Sequence, residues 1–409
     1  MKKLLLLVTA LLLISSGAFA SKARMQALGQ DAETGSYYVS DTRSVFTNPA
    51  YVNSYKNYII TEWGQTANQD DGGDANTPNP EGGFFHEFGD FSLGAYLGSE
   101  VTVNDSWKNL ATGNVVKHQN PIDIFLAGDM GIKWGARVHF AKAKDETAST
   151  IGNETYEAKN SALGLGFGII WNDLEIYADL LLSDKSNGLI STGNATTAKN
   201  ATWEADLGMK GGISYNIFGL TVFGEYNKNG FGYNGGVSGD TKTTYERTDI
   251  IAGIGKIHEV AKNARLITDA TFRMSEDEAK DASSLSTVNN LANTAITGFT
   301  KITSKTNSLK LSAGYEADAT SWLTLRGAVS QTFLINSRQQ KVDPAPTPNT
   351  NDKKDSNNPN TAVIAGATLN FGNLKVDGMI GHNSAAPVAN SGELRTDELL
   401  SRVAVHYWF

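Results

Sequence analysis

Residues 201–226 read ATWEADLGMKGGISYNIFGLTVFGEY. Trp203, Ala205, Leu207, Met209, Gly211, Ile213 and Tyr215 stand at every second position, with Glu204, Asp206, Lys210 and Ser214 between them. A period of two is that of a strand with one apolar and one polar face. Asn216 to Gly219 interrupts the pattern, which then resumes. Strand, tight turn and returning strand make an antiparallel hairpin.

The pattern recurs along the chain. Ile132, Trp134, Ala136, Val138 and Phe140 alternate with Lys133, Arg137 and His139; Leu323, Leu325, Gly327 and Val329 alternate with Thr324, Arg326 and Ser330. Sixteen runs are expected, near 57–63, 83–88, 91–97, 122–128, 131–142, 157–170, 174–182 and 201–215, then 218–226, 244–257, 264–275, 301–316, 321–336, 361–371, 374–381 and 397–409. The pair around Phe85 and Phe91 also reads as one long strand, and fourteen strands are the alternative count. Connections alternate too. Gly89-Asp90, Trp171-Asn172-Asp173, Asn216 to Gly219 and Gly372-Asn373 are tight; Gln65 to Glu81, Ser183 to Asn200, Asn227 to Thr243, Ser275 to Asn293 and Gln339 to Asn360 are long and polar.

Composition removes other classes. The 409 residues include no cysteine, so disulfides, thiolate metal sites and cysteine nucleophiles are excluded. Met1 to Ala20 reads as a secretory signal peptide, with Lys2 and Lys3, an apolar core from Leu4 to Ile14 and the small-x-small site Ala18-Phe19-Ala20. Its apolar core is too short to span a bilayer, and no later apolar run is long enough for a transmembrane helix. Without those twenty residues, 33 basic face 43 acidic residues, a net charge of -10 (35 minus Lys2 and Lys3, against 43). With no basic run, nucleic acid is excluded as a partner.

An exported chain of this pattern is all-β. A soluble sandwich would keep loops of similar length at both ends. Alternating tight turns and long loops instead indicate a transmembrane antiparallel up-and-down β-barrel of about sixteen strands, with turns in the periplasm and loops outside. Trp171, Tyr215, Phe218, Tyr315, Trp322 and Phe371 sit beside the tight turns, where an interfacial girdle falls. The last eight residues, RVAVHYWF, place Val403, Val405, Tyr407 and Phe409 at alternate positions. They resemble the terminal strand by which Gram-negative outer-membrane proteins are recognised for insertion. The barrel resembles a general porin, and the N-terminal part resembles major outer-membrane proteins of predatory Gram-negative bacteria.

With the apolar parity facing lipid, the other parity lines the lumen. That set holds Lys133, Arg137, Glu175, Asp179, Glu204, Asp206, Lys210, Glu225, Arg247, Asp249, Arg265, Asp269, Arg273, Lys310, Arg326, Lys375, Asp377 and Arg402. Charges of both signs inside a barrel need water or partners. About sixteen strands leave room for an aqueous channel. The loop Ser275 to Asn293 has the composition of a short helix and is a candidate for folding inward.

Residues 21–56 precede the first strand of the barrel at 57–409. Leu28-Gly29, Asp41 and Asn48-Pro49-Ala50 resemble the N-terminal hatch of the long-chain fatty-acid transporter family, which plugs its barrel from the periplasmic side. That family has fourteen strands and an apolar ligand path; here the lumen is charged. A plain turn into strand one is the other reading of Asn48-Pro49. Catalytic patterns are not found: His86, His118, His139, His258, His382 and His406 form no HExxH spacing, and no Gly-x-Ser-x-Gly elbow occurs. No enzymatic activity, cofactor or metal is expected. The expected function is that of a porin passing small hydrophilic solutes and ions. The alternatives are a hatch-bearing transporter of hydrophobic compounds and a structural or adhesive surface protein. Expected partners are outer-membrane lipid and lipopolysaccharide, the barrel-insertion machinery and, since large porins are often trimers, two further copies of the chain.

Overall fold

A computed structural model describes residues 21–65, 80–99, 114–116, 118, 121–151, 154–190, 199–234, 242–281, 301–343, 360–384 and 399–409. Residues 1–20 and most of the long loops lie outside these. The first half of the chain holds β1 (Tyr58–Gln65), β2 (Glu81–Phe88), β3 (Phe91–Leu97), β4 (Asn114–Val115), β5 (Ile122–Asp129), β6 (Lys133–Ile151), β7 (Glu154–Trp171), β8 (Leu174–Ile190) and β9 (Lys199–Ala205). The second half holds β10 (Gly208–Ile217), β11 (Leu220–Asn234), β12 (Thr243–Ala261), β13 (Ala264–Lys280), β14 (Lys301–Asp318), β15 (Leu323–Asp343), β16 (Asn360–Phe371), β17 (Leu374–Ser384) and β18 (Leu399–Trp408).

These form one antiparallel sheet that closes where β1 pairs with both β18 and β2. β9 and β10 occupy successive levels of one position between β8 and β11. β4 joins the ring only through β8. The wall is therefore a closed barrel of sixteen strands. Phe85 and Phe91 lie on separate strands, because Gly89 takes φ +60 in the turn between them. Closure leaves no sheet edge whose peptide groups hydrocarbon would strand.

Ile124, Phe167, Ile213, Val222, Ile254 and Val329 are exposed on the outer face, whereas their neighbours in sequence Asp123, Gly166, Ser214, Phe223, Gly253 and Ala328 point inward. Trp171, Tyr215, Phe218, Trp322 and Phe371 stand exposed beside the tight turns. Most of the long strands run past their expected ends: β8 to Ile190, β11 to Asn234, β13 to Lys280 and β15 to Asp343. Beyond the lipid band both faces meet water, so pairing continues after the apolar alternation has stopped. Ser275–Lys280 is accordingly strand, not the start of an inward helix; residues 282–293 of that loop are outside the described residues.

One irregularity corrects the parity. Leu182 is skipped where β7 and β8 shift register. Below it Tyr177 and Asp179 face the lumen; above it Asp184 and Ser186 do. Trp203 lies opposite Ser186 and is buried, whereas Met209 lies opposite Leu180 and is exposed. The alternation read as unbroken from Trp203 to Tyr215 thus changes face near Asp206.

A charge on the lipid face tests the orientation. Phe167→Arg is expected to cost about 2–4 kcal/mol of folding stability in lipid vesicles. The check is the urea midpoint of refolding; an unchanged midpoint would place Phe167 away from hydrocarbon.

Candidate functional site: the lumen and its plug

Residues 21–56 fold inside the barrel at its tight-turn end. Helix α1 (Lys22–Ala27) starts on Ser21, whose side chain accepts from the Arg24 amide at 3.1 Å. Gly29, at φ +74, lets the chain turn away. A 3-10 turn at Thr42–Phe46 is capped reciprocally: Asp41 accepts from the Arg43 amide at 2.8 Å, and the Asp41 amide donates to Ser44 Oγ at 3.1 Å. The next, Pro49–Asn53, is capped by Asn48, which accepts from the Ala50 amide at 3.1 Å. These pieces are too short to be stable alone, so the wall must hold them.

One side of the plug is held by charge. Arg24 grips Glu316 of β14 with Nε at 2.8 Å and a second nitrogen at 3.2 Å, while also reaching Asp41 at 3.0 Å. Arg43 bonds Glu81 of β2 at 2.8 Å and Tyr96 of β3 at 3.0 Å, with its guanidinium 4.1 Å from the Phe46 ring centre. Lys22 Nζ lies 2.6 Å from Glu33 and 2.8 Å from Glu81; its amide donates to Glu62 of β1 at 2.8 Å. Ser21 donates to Asp377 of β17 at 3.0 Å. Apolar contacts fill the gaps: Val45, Phe46 and Val52 against Tyr58, Phe85 and Phe125, and Met25, Leu28 and Val39 against Ile267.

The other side is held by neutral groups. Tyr38 donates to Asp269 of β13 at 2.7 Å, beside Gln30 at 3.0 Å. Tyr51 donates to Glu175 of β8, and the Tyr37 ring stacks on Phe223 of β11 at 4.3 Å. Asn53 donates to the carbonyls of Gly128 at 3.0 Å and Trp134 at 3.1 Å.

Glycines on the wall make room. A Cβ on Gly168 would stand 1.9 Å from Asn48 Oδ1, and one on Gly135 2.3 Å from the Pro49 carbonyl. On the opposite side, one on Gly314 would stand 2.8 Å from the Leu28 carbonyl and one on Gly366 2.6 Å from Ala27 Cβ.

Most of the expected lumenal residues face inward, and many of them meet the plug. Lys133 reaches Ser54 at 3.1 Å, Lys310 the Gly29 carbonyl at 2.7 Å and Arg402 Glu33 at 3.3 Å. Arg265 and Arg326 join Arg24 on Glu316. Higher up, Arg137 pairs with Asp179, and Arg247 and Arg273 meet Asp249 at 3.1 and 3.0 Å. Glu225 accepts from Tyr177, and Lys210 lies opposite Asp179 in register. Two do not line the lumen. Glu204 pairs with Lys185, both half exposed, on the face opposite buried Trp203; exposed Asp206 lies beside Lys228. The expected insertion residues Val403, Tyr407 and Phe409 are exposed on the outer face, and Val405 shares their parity. Asn48, Pro49 and Ala50 are buried against β6 and β7. Glu62, Glu81, Glu316, Lys22, Arg24 and Arg43 are not in the expected set; the first three stand on lumenal parity, a signal available in advance. Among the described residues no group of three His, Asp or Glu could hold a metal ion.

No protein-family profile and no curated protein matches the chain. Solved structures similar to it include a porin (13% identity, 86% of this chain and 99% of that one, TM-score 0.37). A Pseudomonas aeruginosa FadL homologue (12%, 94% and 98%, 0.42) and the ferric citrate transporter FecA (10%, 86% and 56%, 0.42) are others. All are outer-membrane β-barrels.

Two tests follow from the buried contacts. Removing one partner of a buried pair costs about 3–5 kcal/mol. Arg24→Ala, and Gly168→Val by its bulk, are expected to speed tryptic cleavage of the plug while the barrel keeps its heat-modifiable gel mobility. Equal protection would mean that neither contact holds the plug. The second test uses Asp41, which burial pushes up to about 6 despite the Arg24 guanidinium and the Arg43 amide. A freed plug would carry an ordinary carboxyl near 3.9. This residue's contribution to docking is therefore full below about 3.9 and lost as pH rises through about 6. Asp41→Asn should flatten that part of the pH profile of tryptic cleavage; an unaltered slope would assign it to another group.

Proposed function

We propose that this outer-membrane barrel is a channel for small hydrophilic solutes and ions, with residues 21–56 setting its bore. The observation that carries the reading is the lumenal wall beyond the plug. There Arg247 and Arg273 pair with Asp249 on the wall, while at the plug's edge Arg137, its guanidinium 5.8 Å from the Phe46 ring centre, pairs with Asp179. Such a surface suits water and ions and would strand an apolar solute among charges. Conduction needs no catalytic step. Export by cleavage after Ala20 and insertion through the outward-facing Val403, Val405, Tyr407 and Phe409 complete the proposal, with lipopolysaccharide as the outer lipid neighbour.

A second reading is a transporter of hydrophobic compounds. It is favoured by the buried stack in which Trp203 lies 5.2 Å from Phe231, and Phe231 5.4 Å from Tyr245. The hatch-like placement of Asn48-Pro49-Ala50 favours it as well.

Single-channel recording in planar bilayers separates the two. Deleting residues 22–56 is expected to raise the conductance several-fold over the intact chain. Equal conductance would remove the plug from the account. Silence of both forms from correctly folded barrels would overturn the channel reading, and long-chain fatty-acid uptake into vesicles would then decide for the second.

A further inference from the structure

The plug is electrically one-sided. Lys22, Arg24 and Arg43 all point toward β14, β1 and β2, where Glu316, Glu62 and Glu81 neutralise them. The side toward β8, β11 and β13 offers Tyr37, Tyr38, Gln30, Ser40 and Tyr51, with no cation among them and with the Asp31 carboxylate close enough to act on Tyr37. Yet that wall carries three carboxylates, Glu175, Glu225 and Asp269. Their partners are hydroxyls and an amide: Tyr51 for Glu175, Tyr177 for Glu225, and Tyr38, Gln30 and Ser312 for Asp269. Among the described residues none of the three has a Lys, Arg or His within ion-pair distance, whereas Asp179, Asp249, Glu316 and Asp377 each have one.

The three carboxylates form an arc. The paired register runs from Glu175 through Ser214, Phe223 and Gly253 to Thr271. Glu225 lies two residues from that row away from the tight turns and Asp269 two residues toward them, about 7 Å each way along the strand. Between them the wall carries Phe223, on which Tyr37 stacks, with Gly212, Ser214, Gly253 and Gly255, the three glycines being covered by the rings of Tyr177, Phe223 and Tyr38; all three carboxylates are only partly buried. Lys210, a lumenal cation on the same sector, stands opposite Asp179 instead. On the plug side, burial and then the neighbouring carboxylate push the Tyr37 and Tyr51 phenols up, so both stay neutral donors. Ser40 is exposed on this side of the plug.

We infer that the junction between the plug and β8–β13 is a cation-attracting seam, and that small cations pass the plug there while anions are turned away. The inference rests on the channel reading and deepens it. Uncompensated carboxylates raise the local cation concentration, and the tyrosine hydroxyls orient those carboxylates without neutralising them. The salt-bridged side is the fixed attachment; the seam is the side where no ion pair has to break.

The test is the reversal potential of the intact protein in planar bilayers across a KCl gradient. The wild type is expected to reverse toward the potassium equilibrium potential. E175Q/E225Q/D269N should bring the potassium-to-chloride permeability ratio several-fold down, toward one. E276Q/E278Q, which removes two acids from the outer face, should leave the ratio unchanged. A triple variant that keeps the wild-type ratio, or a control that loses it equally, overturns the seam. So does a wild type that conducts nothing and takes no rubidium into vesicles, even where the form lacking residues 22–56 conducts. That last pattern leaves the channel reading standing and removes only the seam.

Discussion

Hydrocarbon offers nothing to an unpaired peptide group, and the rest of this molecule follows from that. A sheet that must lie in lipid has to close on itself. Closing sixteen strands fixes a bore wider than side chains alone can fill. The bore is then wet or occupied. Here the tight-turn end is occupied by the 36 residues that precede the first strand (21 to 56 inclusive).

The attachment of that segment shows why its residues are so polar. A plug held only by apolar contact would need a large greasy patch on the lumenal wall, and the lumenal face is instead lined with charge. Arginines solve this with directed contacts. Arg24 engages Glu316 through two nitrogens and Asp41 through a third, a geometry that lysine's compact charge could not reproduce. Buried ion pairs contribute little net stability compared with well-packed apolar groups, but they penalise misplacement heavily. Their contribution here is register: each fixes one rotation of the plug against one strand.

The barrel was legible because its cause is a repeated one. Lipid on one face of every strand writes the same period sixteen times, and the tight turns punctuate it. Legibility fails where that cause stops. The strands run on past the lipid band because backbone pairing needs no apolar alternation, so their ends were read as loop. Glu204 was misplaced because a single skipped residue, Leu182 on β8, exchanges the faces above it, and nothing in the local sequence marks the skip. In the plug, Asn48-Pro49-Ala50 was readable as a cap and turn. The partners of Arg24 and Arg43 were not, since a pairing between residues 24 and 316 has no local signature. The glycines were the overlooked evidence. Gly135, Gly168, Gly314 and Gly366 stand at lumenal positions where a channel wall would carry side chains, and their bareness records something pressed against them.

The place where the plug is tied has a consequence for how the molecule comes into being. Asn57 runs from the plug directly into β1, one lip of the junction that closes the ring. Ser21, at the other end of the plug, is hydrogen-bonded to Asp377, 356 residues away on β17, the strand beside the other lip. The plug therefore straddles the junction as a strap. It raises the effective concentration of the last hairpin at the first strand before any backbone hydrogen bonds between them have formed. The final step of assembly is then the zipping of two lips already buckled together from inside.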